Sequence, residues 1–249
     1  MTNRRHALIT GGTSGIGLAT ALALVADGHE VAVCSRSGQL VTEGLSDEER
    51  KLADALWVSA CDVTRPEALD RLMGEVEGRF GGLDAVFANA GVARFERTRQ
   101  VSEASIDQTL GINVKGAFLT VQRALPLLRD GASVLFCSSA VAGLGAPHAA
   151  MYAASKAAVE ALTRCLAVDL APRVRVNCLS PGPTATPIQT KIDLDEDGVA
   201  EQMGVIQGRL RAGRMAEAGE LAEMARFLLS SRSRFIYGST VVVDGGLSI

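Results

Sequence analysis

The sequence lacks most of what would commit it to a specialised class. No Cys-x-x-Cys pair occurs, and the cysteines (Cys34, Cys61, Cys137, Cys165 and Cys178) are odd in number and widely spaced. That argues against a disulfide framework or a metal site. Four of the five fall in or beside apolar runs, which suits small buried thiols in a reducing, cytoplasmic setting. Basic charge is not in excess: 25 Lys and Arg against 28 Asp and Glu leave a net charge of −3, so no positive field invites nucleic acid or an anionic membrane. The N-terminal run MTNRRHALITGG has too few apolar residues before its glycines to serve as a secretory h-region. Residues 131–155 contain no Asp, Glu, Lys or Arg, a length that raises the question of a membrane span. Yet the window holds Gly131, Gly143, Gly145, Pro147 and several serines, and a strand followed by a loop accounts for it better. There is no clear internal repeat and no low-complexity tract. What remains is a chain of 249 residues, 47% apolar and 21% charged. It can bury a substantial core and reads as one unit over residues 1–249.

In order, His6–Thr10 is a short apolar run that ends at Gly11-Gly12-Thr13-Ser14-Gly15-Ile16-Gly17, and an apolar helical pattern follows to about Asp27. A strand, a glycine turn and a helix make an anion cradle, because glycines let the backbone approach a diphosphate and the helix N-terminus aims free N–H groups at it. The spacing is G-x-x-x-G-x-G, not the literal G-x-G-x-x-G, and a tight βα connection would also account for it. Glu30–Ser35 reads as the second strand, followed by Arg36 and Ser37. Dinucleotide folds place an acid on the ribose 2′-hydroxyl about 20 residues after the glycines, whereas an Arg there can hold a 2′-phosphate. Arg36 with no acid therefore favours NADP(H) over NAD(H); a solvated strand-end charge is the plainer account. Further strands are expected at Leu56–Ala60, with Trp57 packing, and at Asp84–Ala88, Ala132–Ser138, Val174–Leu179 and Thr240–Val243. Helices are expected over 66–80, from about Ser102 to Leu128, and from Met151 to about Leu170. Residues 184–213 are polar and irregular, with an acidic cluster at Asp193–Asp197, the pattern of a mobile flap.

Strands alternating with helices imply an α/β fold: a doubly wound, Rossmann-like parallel sheet of about seven strands with helices on both faces. Gly11, Asp62, Asn89, Ser139 and Pro181 all fall just past the carboxyl ends of expected strands, the edge where such sheets bind ligands. Tyr152 and Lys156 lie four residues apart in the Ala-rich run MYAASKAAVEAL, so they share one helical face. An ammonium beside a phenol favours phenolate over phenol and makes a better proton donor. On that stretch alone, a packed tyrosine and a solvated lysine is the commoner account. Asn113 stands mid-helix, where Asn competes for backbone groups; a solvent-facing side chain is its plain reading.

Together these motifs resemble the short-chain dehydrogenase/reductase family over essentially the whole chain, and in particular its 3-oxoacyl-carrier-protein reductase-like members. The matching pieces are Thr10–Gly17, Asp62-Val63, Asn89-Ala90-Gly91, Asn113, Ser139, Tyr152 with Lys156, Pro181-Gly182 with Thr186, and Val243-Asp244-Gly245-Gly246. The resemblance implies an oxidoreductase moving a hydride between NADP(H) and a carbonyl or secondary alcohol. By it, Gly11, Thr13, Ser14, Gly15, Ile16 and Gly17 surround the diphosphate and adjoining ribose. Ser35, Arg36 and Ser37 hold the 2′-phosphate. Asp62 and Val63 meet the adenine, and Asn89, Ala90 and Gly91 the adenine-side ribose. Pro181, Gly182, Thr184 and Thr186 meet the nicotinamide end. The catalytic set it implies is Asn113, Ser139, Tyr152 and Lys156. Ser139 is selected over Ser138 because it lies thirteen residues before Tyr152, and Asn113 would anchor a water relaying protons from Lys156. NADP(H)-using relatives often carry a basic residue at the places held here by Thr13 and Ser14, so an NAD(H) enzyme is the alternative. Enoyl reductases of this fold space Tyr and Lys more widely, and a silent nucleotide-binding regulator would have lost part of the catalytic set. The expected substrate border is Ser139, Val141, Leu144, His148, Tyr152, Pro183, Ile188 and the 190–210 part of the flap, with Arg94 or His148 open to reading an anion and both facing solvent as the plain account. A homotetramer is the common assembly of such relatives.

Overall fold

A computed structural model describes residues 5–187 and 194–249; Ile188, expected at the substrate border, lies outside them. The chain follows the expected alternation: β1 (His6–Thr10), α1 (Gly15–Ala26), β2 (Glu30–Ser35), α2 (Asp47–Ala53), β3 (Trp57–Ala60), α3 (Pro66–Phe80) and β4 (Leu83–Ala88). Next come α4 (Glu103–Leu110), α5 (Ala117–Ala124), β5 (Leu128–Cys137), α6 (Ala150–Leu170) and β6 (Val174–Pro181). The last elements are β7 (Thr184–Ala185), α7 (Glu196–Arg209), β8 (Ala216–Glu217), α8 (Ala218–Leu229) and β9 (Thr240–Val243). Seven strands form one sheet in the order β3-β2-β1-β4-β5-β6-β9, with every pairing parallel.

Side chains alternate across this sheet, and both faces are covered. On β1, Leu8 joins one apolar cluster with Leu72, Val121 and Val159 from α3, α5 and α6. Its neighbours Ala7 and Ile9 join the opposite cluster with Leu22, Leu221 and Leu228 from α1 and α8. Alternation on a strand covered from both sides leaves no polar face, so the central strands read as continuous apolar runs. β6 is buried along its whole length. α3 has clean end signals, with Pro66 in its first turn and Gly81 at φ 65° behind its last.

The structure corrects the expected elements in three places. The helix expected over 102–128 is divided: a π-helical segment, Gly111–Gly116, separates α4 from α5, and Asn113 within it is 1% exposed, not solvent-facing. The irregular flap expected over 184–213 contains the 14-residue helix α7, capped by the Asp195 carboxylate on the Gly198 N–H. β5 begins at Leu128, four residues early, because Leu128 pairs with Leu83 across a register irregularity. Of the cysteines, Cys34, Cys61 and Cys178 are buried, Cys137 is half-buried and Cys165 is exposed. Burial pushes the Cys178 thiol up to about 12. Trp57 packs edge-on against Phe80, with the Arg79 guanidinium over its ring. Among the described residues no helix is long and apolar enough to cross a membrane, and no group of His, Cys, Asp or Glu could hold a metal ion.

Candidate active site

The carboxyl ends of β1, β4, β5 and β6 open on one cavity of about 310 Å³. Its first wall is the β1–α1 turn, where Gly11, Ser14, Gly15 and Ile16 line the space. The first N–H groups of any helix lack intrahelical partners, and here the N-cap Ser14 side chain does not cap them and no acidic residue stands in the first turn. Two glycines shape the approach. Gly15 takes φ 53°, and a Cβ on it would come 3.2 Å from the Thr186 side chain across the groove. A Cβ on Gly17 would come 2.3 Å from the Gly11 carbonyl oxygen and 2.5 Å from the Asn89 amide nitrogen, so only glycine lets α1 start this close. Asn89 braces the turn by donating to the Thr10 and Gly11 carbonyls at 3.2 and 3.1 Å. Uncapped N–H groups facing a glycine-narrowed groove suit a diphosphate.

The opposite wall is α6. Its buried residues Tyr152, Ser155, Lys156, Val159, Thr163 and Ala167 form one stripe, which turns the Tyr152–Lys156 pair toward the sheet. The Lys156 ammonium donates to the Cys137 carbonyl at 2.8 Å and stands 5.8 Å from the Tyr152 ring centroid. Phe95 packs on the other side of that ring at 5.4 Å. The two adjacent serines are separated by their bonding. The Ser138 hydroxyl is buried and donates to the Lys156 carbonyl and to Glu160; both serines border the cavity, but the Ser139 hydroxyl has no partner among the described residues. Cys137 also borders the cavity, but burial pushes its thiol up against the pull of Lys156, so it is no ready nucleophile.

Asn113 does not line the cavity; it clamps the elements that do. Its Oδ1 accepts from the Val92 N–H at 2.8 Å, and its Nδ2 donates to the Val92 carbonyl at 2.9 Å and the Ser155 hydroxyl at 3.0 Å. Ser155 in turn donates to the Tyr152 carbonyl at 2.7 Å. The point where a Cβ on Gly91 would sit is 3.3 Å from both Asn113 Oδ1 and Lys156 Nζ.

Of the other expected residues, Asn89, Gly91, Val141, Leu144, Pro181, Gly182, Pro183, Thr184 and Thr186 line the same cavity. Thr13 is buried beneath the turn, and its carbonyl accepts from Val41. Ala90 donates its N–H to the Thr10 hydroxyl. Ser35, Arg36 and Ser37 lie beyond the cavity at the end of β2, where the two serine hydroxyls approach within 3.4 Å. Arg36 is exposed and close enough to act on Asp62. Burial pushes the Asp62 carboxyl up, but hydrogen bonds from Thr64 and the charges of Arg36 and Arg65 outweigh it and hold it low. Val63 is buried, its side chain set against Gly116.

His148 is corrected. It does not line the cavity; at φ 60° its ring turns to Glu201 on α7, 3.0 Å away. Arg94, also expected at the border, is not a lining residue either. The flap expected at the substrate border over 190–210 does contribute Gln202, Met203, Ile206 and Arg209, though as a helix whose individual residues were not singled out, while Phe95, Met215 and Leu247 were missed. The usable signal was the spacing 202, 206, 209, which shares a helical face once α7 is admitted.

A family profile described as "Enoyl-(Acyl carrier protein) reductase" matches residues 11–248. The human "Dehydrogenase/reductase SDR family member 4" is 36% identical over 246 residues, 96% of this chain and 86% of that one. Among solved structures, the 3-ketoacyl-(acyl-carrier-protein) reductase from Brucella melitensis complexed with NADH superposes with a TM-score of 0.85 at 28% identity, covering 98% of both chains. A short chain dehydrogenase from Burkholderia cenocepacia in complex with NADP gives 0.84 at 29%, again over 98% of each.

The close fit at Gly17 has a measurable consequence. Gly17→Ala must open the β1–α1 turn; dinucleotide affinity measured by calorimetry should fall about 100-fold, and urea unfolding should lose about 2–4 kcal/mol.

Proposed function

The chain belongs to the short-chain dehydrogenase/reductase family, and from that premise we propose that it is an NADP(H)-dependent reductase of ketones or 3-oxoacyl groups, running the reverse alcohol oxidation on the same residues. One observation carries the reading: Ser139, Tyr152 and Lys156 border a single cavity whose other wall is the uncapped start of α1.

Gly11, Ser14, Gly15, Ile16 and Gly17 would hold the diphosphate, with Thr13 beneath them. Asn89, Ala90 and Gly91 would hold the adenine-side ribose, and Asp62 and Val63 the adenine. Pro181, Gly182, Thr184 and Thr186 would hold the nicotinamide end. When bound there, the nicotinamide supplies or takes the hydride. The residues of the chain do the rest. The free Ser139 hydroxyl donates to the carbonyl oxygen. Tyr152 passes its proton to that oxygen as the carbon gains hydride, so C=O becomes CH–OH with electrons and protons balanced. The Lys156 ammonium, fixed on the Cys137 carbonyl, stabilises the charge left on the phenol oxygen. Such fixed charges act where charge develops and need no reorganisation during the reaction. Asn113 is a positioning residue: with its amide spent on Val92 and Ser155, a water relay from Lys156 would have to use its remaining lone pair or a main-chain carbonyl of the π segment. The four-residue separation of Tyr152 and Lys156 supports C=O over C=C reduction despite the name of the matching profile.

NADP(H) is favoured by Arg36 between Ser35 and Ser37, with no acid at the end of β2. The solved relatives include one bound to NADH and one bound to NADP, so NAD(H) is the second reading. We also propose that the whole chain is one catalytic unit, that it works in the cytoplasm, and that it assembles as a homotetramer. Large apolar side chains stand exposed, among them Leu110 and Val168 on α4 and α6, and Phe235, Tyr237 and Val242 on and before β9. Patches of this kind are what an oligomer covers.

Three measurements test the reading. Tyr152→Phe should cut ketone reduction about a thousandfold while dinucleotide binding persists; near wild-type turnover would refute the assigned proton donor. Arg36→Ala should weaken NADPH by about tenfold or more relative to NADH, read as the ratio of kcat/KM for the two. Light scattering of the intact protein should give the mass of four chains, and Val168→Lys should lower it; a single-chain mass in the wild type would refute the assembly.

A further inference from the structure

α7 forms the side of the cavity farthest from the cofactor turn in sequence, and it contributes Gln202, Met203, Ile206 and Arg209 to the lining. Steps of four and three put Gln202, Ile206 and Arg209 on one face, with Gln202 and Arg209 two turns apart, roughly 10 Å along the axis.

Gln202 is 5% exposed, yet its amide has no hydrogen-bond partner among the described residues. It is not a sealed defect: the side-chain polar atoms of the described residues that are fully buried without a partner are His29 Nδ1 and Thr109 Oγ1. Gln202 is also one of the residues that line the cavity. A primary amide carries two donors and an acceptor, and a buried polar group without a partner is rare unless a ligand supplies one.

Arg209 stands exposed in the last turn of α7, also without an ion pair among the described residues. Its neighbours differ: Arg97 is paired with Asp195 at 2.9 Å and His148 with Glu201 at 3.0 Å. Among the described residues, Arg209 and Lys156 are the charged residues of the lining, which includes no Asp or Glu. Lys156 is held on the Cys137 carbonyl at the reacting end. The lining also carries the apolar side chains of Phe95, Leu144, Met203, Ile206 and Met215. A lining whose described residues carry cations and no acid attracts an anion and disfavours a cation.

We propose that α7 reads an acidic substrate. Arg209 pairs with the terminal carboxylate of a keto acid whose body is apolar, and Gln202 donates a hydrogen bond to a substrate oxygen deeper in the chamber. This names the substrate class of the same site and rests on the carbonyl-reductase reading.

The test uses matched ketones with one apolar chain ending in a carboxylate, its methyl ester or a tertiary amine. With NADPH and the intact enzyme, kcat/KM should rank carboxylate above ester above amine, the carboxylate exceeding the ester about tenfold. Added salt should shrink that ratio. Arg209→Gln should bring the ratio near one, Arg209→Lys should restore part of it, and Gln202→Glu should lower it by repulsion. A wild-type ratio of one or below, or an Arg209→Gln variant that slows all three ketones equally, would overturn the proposal. Failure of the underlying reading looks different: none of the ketones would turn over with NADPH or NADH. The inference is then still decided by calorimetry of the three compounds on Tyr152→Phe protein, with and without NADP+. The same carboxylate preference, lost in the Arg209→Gln double variant, supports it; equal binding of all three refutes it.

Discussion

The site depends on one clamp, the buried amide of Asn113. Three of its hydrogen bonds join the segment after β4 to Ser155 on α6, and Ser155 passes the restraint to the Tyr152 carbonyl. A side chain with 1% exposure and paired donors and acceptor cannot be exchanged for an apolar one of similar shape without stranding the Val92 N–H and carbonyl and the Ser155 hydroxyl. The π segment is the backbone's part of the same device. The extra residue in its turn swings Asn113 inward between α4 and α5, at the cost of a regular helix. A break in regular structure that serves a buried polar network is a mark of a site.

From that clamp outward, the cavity is built from fixed charge and fixed dipoles. The start of α1 offers N–H groups with no side-chain cap, and Lys156 is pinned by a main-chain carbonyl on β5. Ser138 is spent on holding the Lys156 carbonyl and Glu160, which leaves its neighbour Ser139 free to face the cavity. Adjacent serines with identical chemistry are thereby separated by their partners: both border the cavity, but the Ser138 hydroxyl is committed to the interior of the chain and the Ser139 hydroxyl is not.

The parts of this arrangement that sequence made legible are those with a period or a hard stop. Apolar runs closed by Gly11, Asp62, Asn89 and Pro181 gave away the strand ends, because a parallel sheet covered on both faces leaves no polar alternation to blur them. The shared face of Tyr152 and Lys156 followed from four-residue spacing. For Asn113 the residues alone offered only a solvent-facing side chain as the plain account, and its place in the site came from the family resemblance, since a π turn leaves no compositional trace. The early start of β5 was hidden because Asp130-Gly131 looks like a turn, and only the partner strand reveals the pairing of Leu128 with Leu83. His148 was placed at the substrate border from its position in the loop, but its left-handed backbone sends the ring to Glu201.

α7 was the least legible element, and the reason bears on what it does. Its sequence carries Gly198, Gly204 and Gly208 among polar residues, so neither propensity nor an apolar stripe announces a helix. It belongs to neither of the two apolar clusters that cover the sheet. Instead it is tied to the rest by polar contacts: Asp195 to Arg97 at its start and Glu201 to His148 in its second turn. Arg97 holds the Asp195 carboxyl below the usual range, so that tie stays charged at neutral pH. A helix attached by side-chain pairs can change its inward residues without disturbing the core, whereas α6 cannot, because its inward stripe is at once core and cavity wall. The two walls of one cavity are therefore under different constraints, α6 held by packing and α7 by a few exposed pairs.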